Sequence, residues 1–145
     1  MKITQLLQED KVTLSLEVFP PKKDTAVEQV SRSVREIAAL QPDFMSVTYG
    51  AGGGTSAYTV QLAQEIKAEY DVPSMAHLTC VSSTKETVKK QLECMQEAGI
   101  ENVLALRGDI PADAEFPLPD QFHYAVELVR DRKSTRLNSS HCIVS

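Results

Sequence analysis

The sequence has 145 residues, 42% hydrophobic and 24% charged, the size and make-up of one ordinary globular domain. Lys and Arg total 15 against 20 Asp and Glu, and a net charge of −5 excludes a surface built to displace counterions from nucleic acid. No apolar run approaches the roughly 18 residues of a membrane span, and the N-terminus turns polar too soon for a signal peptide.

Ile3, Leu6 and Leu7 stand at helical spacing and predict a short lead-in helix. Residues 13–19 alternate as a strand does and stop at Pro20-Pro21. Thr25 and Glu28 read as a capping box for a helix whose face carries Val27, Val30, Val34 and Ile37. Residues 44–49 form a second strand, followed by a glycine-rich turn at 50–54. Ser56 then opens a helix with Leu62, Ala63 and Ile66 inward. Residues 75–80 are a third strand, and Ser83 with Glu86 reads as a second capping box. That helix carries Val88, Leu92, Met95 and Ala98 and closes at Gly99. Residues 102–106 are a fourth strand ending in Arg107-Gly108-Asp109. A proline-rich loop leads to a helix capped by Asp120, with Phe122, Val126 and Val129 inward.

Four β–α units in strict alternation imply a parallel α/β sheet with right-handed crossovers. An open doubly wound sheet and part of a (β/α)8 barrel both suit that pattern. Residues 131–145 break it: they lack periodicity and hold three cations against one anion, so residues 1–130 carry −7. Asp131 to His141 resembles the in-frame translation of a sequencing-library adapter. The expected division is therefore a barrel portion over 1–130 and a foreign tail over 131–145, with the natural chain continuing past Arg130.

Every strand ends in polar residues, where ligands of parallel α/β sheets bind. Ser15 and Glu17 share one face of the first strand, and Ser46 and Thr48 one face of the second, opposite the aliphatic residues. One sheet face thus reads as polar, as a barrel interior does near its mouth. Glu17 has two readings: buried, it would be raised in pKa and serve as a general acid; on an edge strand, it would face water. His77 reads first as a hydrogen-bonded core residue or ligand contact, and second as a reacting group. Arg107 and Asp109 either pair or divide a ligand between them. The glycine-rich turn lacks the GxGxxG spacing and the lysine of a P-loop, so it reads as a flexible turn before a phosphate cradle. Cys80, Cys94 and Cys142 form neither a metal spacing nor an even disulfide set, and Cys80 and Cys94 read as small buried hydrophobes. A reduced, cytoplasmic protein without a metal is expected.

Four strings in order, residues 16–21 (LEVFPP), 46–51 (SVTYGA), 77–80 (HLTC) and 105–109 (ALRGD), resemble the methylenetetrahydrofolate reductase family. The resemblance covers most of residues 12–130 and implies the first four βα units of a truncated (β/α)8 TIM barrel. It further implies FAD at the C-terminal face, NADH or NADPH as hydride donor, and reduction of 5,10-methylenetetrahydrofolate to 5-methyltetrahydrofolate. By motif, Glu17 is similar to the family's general acid and Asp109 to the aspartate near flavin and pterin. Thr48, Tyr49, Ala51, His77, Arg107, Gly108, Tyr124 and Ala125 match flavin-contact positions, as does Asp109. Only four of eight units are present, so the 145-residue chain is expected neither to fold stably nor to turn over. Alternatives are another folate barrel, such as a pterin-dependent methyltransferase, and a doubly wound nucleotide-binding module. The choice of NADH or NADPH and the parent's oligomeric state, a homo-oligomer included, stay open.

Overall fold

A computed structural model describes residues 1–8, 10–21, 26–50, 56–81, 83–110, 112, 115–134 and 141–144, the last four and 132–134 by backbone only. The elements run α1 (Ile3–Leu6), β1 (Ser15–Val18), α2 (Val27–Ala38), β2 (Phe44–Val47), α3 (Ser56–Tyr70), β3 (Ser74–Thr79), α4 (Lys85–Glu97), β4 (Asn102–Leu106), α5 (Ala125–Ser134) and β5 (His141–Val144). All neighbouring strands pair in parallel, in the spatial order β1-β2-β3-β4-β5. Such sequential order has no switch point, so the doubly wound alternative is excluded among the described strands. An arc of successive βα units is what the chain forms.

A fifth strand falls within residues 131–145, the stretch that the sequence pattern set apart. His141–Val144 pairs with Asn102–Ala105 of β4, and α5 runs on to Ser134 as its crossover.

Helix faces follow the aliphatic pattern. Val34 and Ala38 of α2, Val60, Ala63 and Ile66 of α3, and Val88, Leu92 and Met95 of α4 are buried against Met45, Val47, Ala76, Leu78, Val103 and Ala105 of the sheet. α5 presents Ala125 and Leu128, preceded by Phe122; Val126, expected inward, is 40% exposed because the helix begins at Ala125 rather than just after Asp120. The Glu127 carboxylate accepts the His123 N–H at 2.8 Å and secures that later start.

Two other caps differ by one residue from expectation. Ala26 occupies the N-cap of α2 without a side-chain bond, and Thr25 lies outside the described residues. Thr84, not Ser83, caps α4: its extended backbone (φ −72°, ψ 160°) lets Oγ1 accept the Thr87 N–H at 3.1 Å. Gly99 closes α4 as expected, at φ +72°, with Ile100 N–H on the Met95 carbonyl and Gly99 N–H on the Gln96 carbonyl.

The sheet's other face changes along its length. Near the N-terminal ends of the strands it is apolar: Phe44 and Met75 form a second cluster with Ile3 and Leu6 of α1, and Leu104 packs against it. Buried Asn102 pins this plug, accepting the Ile3 N–H at 3.0 Å and donating to the Met1 and Ser74 carbonyls at 3.1 Å each. The polar residues are left at the C-terminal ends.

Candidate functional site

β1, β2 and β3 bring three polar side chains together at that end. Glu17 is the register partner of Ser46, so both stand on the same face one strand apart. Ser46 Oγ donates to Glu17 Oε2 at 3.2 Å, and His77 Nε2 lies 3.5 Å from the same oxygen. Ser46 is buried and the His77 side chain is 9% exposed, whereas the Glu17 side chain is 47% exposed. The edge reading of Glu17 therefore holds for its position, since β1 has no outer neighbour among the described strands. It is still not a stray surface charge, because one of its oxygens is engaged from two sides.

The contact at 3.5 Å is an ion-pair distance without hydrogen-bond geometry, and Nε2 of His77 is buried with no hydrogen-bond partner among the described residues. Burial moves the His77 imidazole below its ordinary pKa of 6.5, and the Glu17 charge opposes that shift only in part. Burial thus favours the uncharged form of His77, and an uncharged imidazole can offer a hydrogen bond to a ligand.

The fourth strand contributes from the far side. Cys80 N–H and Val81 N–H extend the β3–β4 ladder onto the Leu106 and Arg107 carbonyls, at 3.0 and 2.9 Å. Gly108 follows at φ +85°, and a Cβ there would stand 3.1 Å from Thr79 Cβ. The absence of a side chain here lets the chain pass close to Thr79, which is buried. Arg107 and Asp109 are both exposed and form no ion pair with each other among the described residues; Arg107 Nε reaches only the Gly108 carbonyl, at 3.5 Å.

The remaining expected flavin contacts are spread out. Thr48 is half-buried on the Glu17 side of β2, its N–H on the Val18 carbonyl and its own carbonyl accepting from Thr59 Oγ1. Tyr49 turns the other way, into the helix-side core, and burial raises its pKa. Ala125 is buried in the same core at the start of α5, and Tyr124 beside it is exposed. Ala51 and most of the glycine-rich turn lie outside the described residues. Ser46 was legible only as a polar residue on the right face, and its bond to Glu17 depends on cross-strand register. Buried Cys80 is pushed up to about 11 by desolvation, and Cys94, expected buried, is exposed on α4. No group of three or more potential metal ligands occurs among the described residues, and no described helix is long and apolar enough to cross a membrane.

Known proteins are similar to this chain in sequence. Residues 2–144 match the family profile described as methylenetetrahydrofolate reductase. Methylenetetrahydrofolate reductase 2 of Schizosaccharomyces pombe is 36% identical over 138 residues, covering 90% of this chain and 21% of the relative. The Arabidopsis thaliana protein named methylenetetrahydrofolate reductase (NADH) 1 is 34% identical over 92% of the chain and 23% of its own length. The 5,10-methylenetetrahydrofolate reductase of Pectobacterium carotovorum is 34% identical over 82% of the chain and 39% of its own. The chain spans between about a fifth and two fifths of these relatives. With the profile matched over nearly every residue, this chain belongs to the methylenetetrahydrofolate reductase family.

Proposed function

We propose that this chain is the first part of a (β/α)8 barrel reductase that converts 5,10-methylenetetrahydrofolate to 5-methyltetrahydrofolate with NADH or NADPH, and that Glu17 is its general acid. The observation that carries the reading is the cluster of Glu17, Ser46 and His77 at the C-terminal ends of three parallel strands, where barrel enzymes assemble their sites. The Arabidopsis relative's name supports a nicotinamide donor.

The residues present fit a flavin at this face. Nε2 of His77 is a buried polar atom with no hydrogen-bond partner among the described residues, and the exposed Arg107 and Asp109 stand at the neighbouring strand end. His77, Thr48, Arg107, Gly108 and Asp109 would hold the FAD. Bound there, FAD supplies hydride acceptance from the nicotinamide and hydride donation to the folate. Glu17, half open at the mouth, gives its proton to an amine nitrogen of the folate's five-membered ring. The carbon–nitrogen bond to the bridging methylene then breaks toward that nitrogen, leaving an iminium on the substrate and a carboxylate on Glu17. Asp109, at the β4 end, would bias the charge on flavin and pterin.

Half-reactions separate these roles. In the complete reductase, Glu17→Gln is expected to spare flavin reduction by NAD(P)H and to abolish folate reduction in stopped-flow absorbance. Equal loss of both half-reactions refutes the acid assignment.

A further inference from the structure

We propose that Ser46 is a positioning residue that decides which oxygen of Glu17 carries the transferable proton. This rests on the reading of Glu17 as the acid and adds to it an atom-level assignment. Ser46 sits directly across from Glu17 in the parallel β1–β2 register, buried, with its hydroxyl proton directed at Oε2 over 3.2 Å. His77 Nε2 stands 3.5 Å from that same oxygen. A hydroxyl has one proton to give, and an oxygen that accepts it is the unprotonated oxygen of a carboxylic acid. Oε2 is thus kept as the acceptor of the Ser46 hydroxyl, and the acid proton rides on Oε1.

The geometry also limits rotation of the carboxyl. Glu17 belongs to an edge strand with its side chain half in solvent, so without Ser46 no described hydrogen bond fixes it. In the transfer step the Oε1–H bond breaks and the proton passes to the folate amine nitrogen. The electron pair stays on Oε1, and Ser46 continues to donate to Oε2 of the resulting carboxylate. A hydrogen bond to a charged group is stronger than one to a neutral group, so Ser46 stabilises the product side of the transfer.

The test compares variants of the complete reductase. Ser46→Ala is expected to slow folate reduction at saturating folate about tenfold, the worth of one charge-assisted hydrogen bond. KM for folate and the rate of flavin reduction by NAD(P)H stay unchanged, and Ser46→Thr restores the folate rate. A readout independent of turnover comes from flavin-free protein. There the isotope-edited infrared carboxylate band of Glu17, identified by its loss in Glu17→Gln, moves in Ser46→Ala and returns in Ser46→Thr. If Ser46→Ala yields no flavin-binding protein, Ser46→Cys, similar in shape and a weaker donor, is read by the same rate and band. An active Glu17→Gln removes the acid reading itself. A dead Glu17→Gln together with an unchanged rate and band in the Ser46 variant overturns this proposal alone.

Discussion

At the residue scale, two positions carry consequences that a single strand's pattern only half reveals. Gly108 follows β4 at φ +85°, and a Cβ there would meet Thr79 Cβ at 3.1 Å, both backbone strain and crowding. Gly108→Ala in the complete reductase is expected to lose about 1–3 kcal/mol, read as a lower urea midpoint at unchanged slope. An unchanged midpoint would mean that the turn relaxes freely. His77 gives the pH dependence. Its folded pKa lies below the ordinary 6.5, chiefly through burial, so the unfolded chain takes up the proton first. The stability it contributes is complete above about pH 6.5 and falls as pH drops from there through the folded pKa. Thermal midpoints measured from pH 7.5 downward should show that decline, and His77→Gln should flatten it. Glu17, His77 and Gly108 were all legible as residue types at strand ends. Ser46 was not, because its role depends on the register that places it opposite Glu17.

At the element scale, alternation was enough to read β1 to β4, the helices between them and the polar face, since burial imposes periods of 3.6 and 2. What it missed are contacts between distant segments. α1 is four residues long and could not persist alone, yet Ile3 is fully buried because Asn102 at the foot of β4 receives its N–H. Glu101 next to it holds the N-terminal ammonium at 2.7 Å and Lys67 at 3.2 Å, contacts that keep its carboxyl below the usual range. The amide of Asn102 serves three backbone groups of two other segments, so its removal leaves buried donors and acceptors without partners. Asn102→Ala should cost roughly 2–4 kcal/mol and release α1, seen as fast amide exchange at Ile3 in the complete reductase. Protection retained at Ile3 would refute the pinning role. The Thr84 cap was missed because Ser83 and Thr84 are both N-cap residue types, and only the position of the first helical turn puts the Thr84 hydroxyl on the Thr87 N–H.

At the scale of the whole molecule, the arc of sequential strands leaves β1 with one paired side among the described strands. Around that edge Val12 is 95% exposed, Leu14 53% and Phe19 68%, an apolar margin beside unpaired backbone. The same opening leaves the Glu17 side chain half in water on the side away from Ser46 and His77. Edge and acid thus make one demand: a further strand beside β1 would satisfy the backbone, cover Phe19 and Leu14, and dry the outer side of Glu17. The 145-residue chain by itself is accordingly expected to self-associate through β1 and to show neither flavin absorbance nor folate reduction. Sedimentation velocity over a tenfold concentration range, with an absorbance spectrum after mixing with FAD, measures both. Lys in place of Leu14, which adds charge to the edge, should shift the chain toward monomer without giving it activity. A yellow, monomeric chain that reduces methylenetetrahydrofolate would show instead that β1 needs no neighbour and that Glu17 works as an acid in the open.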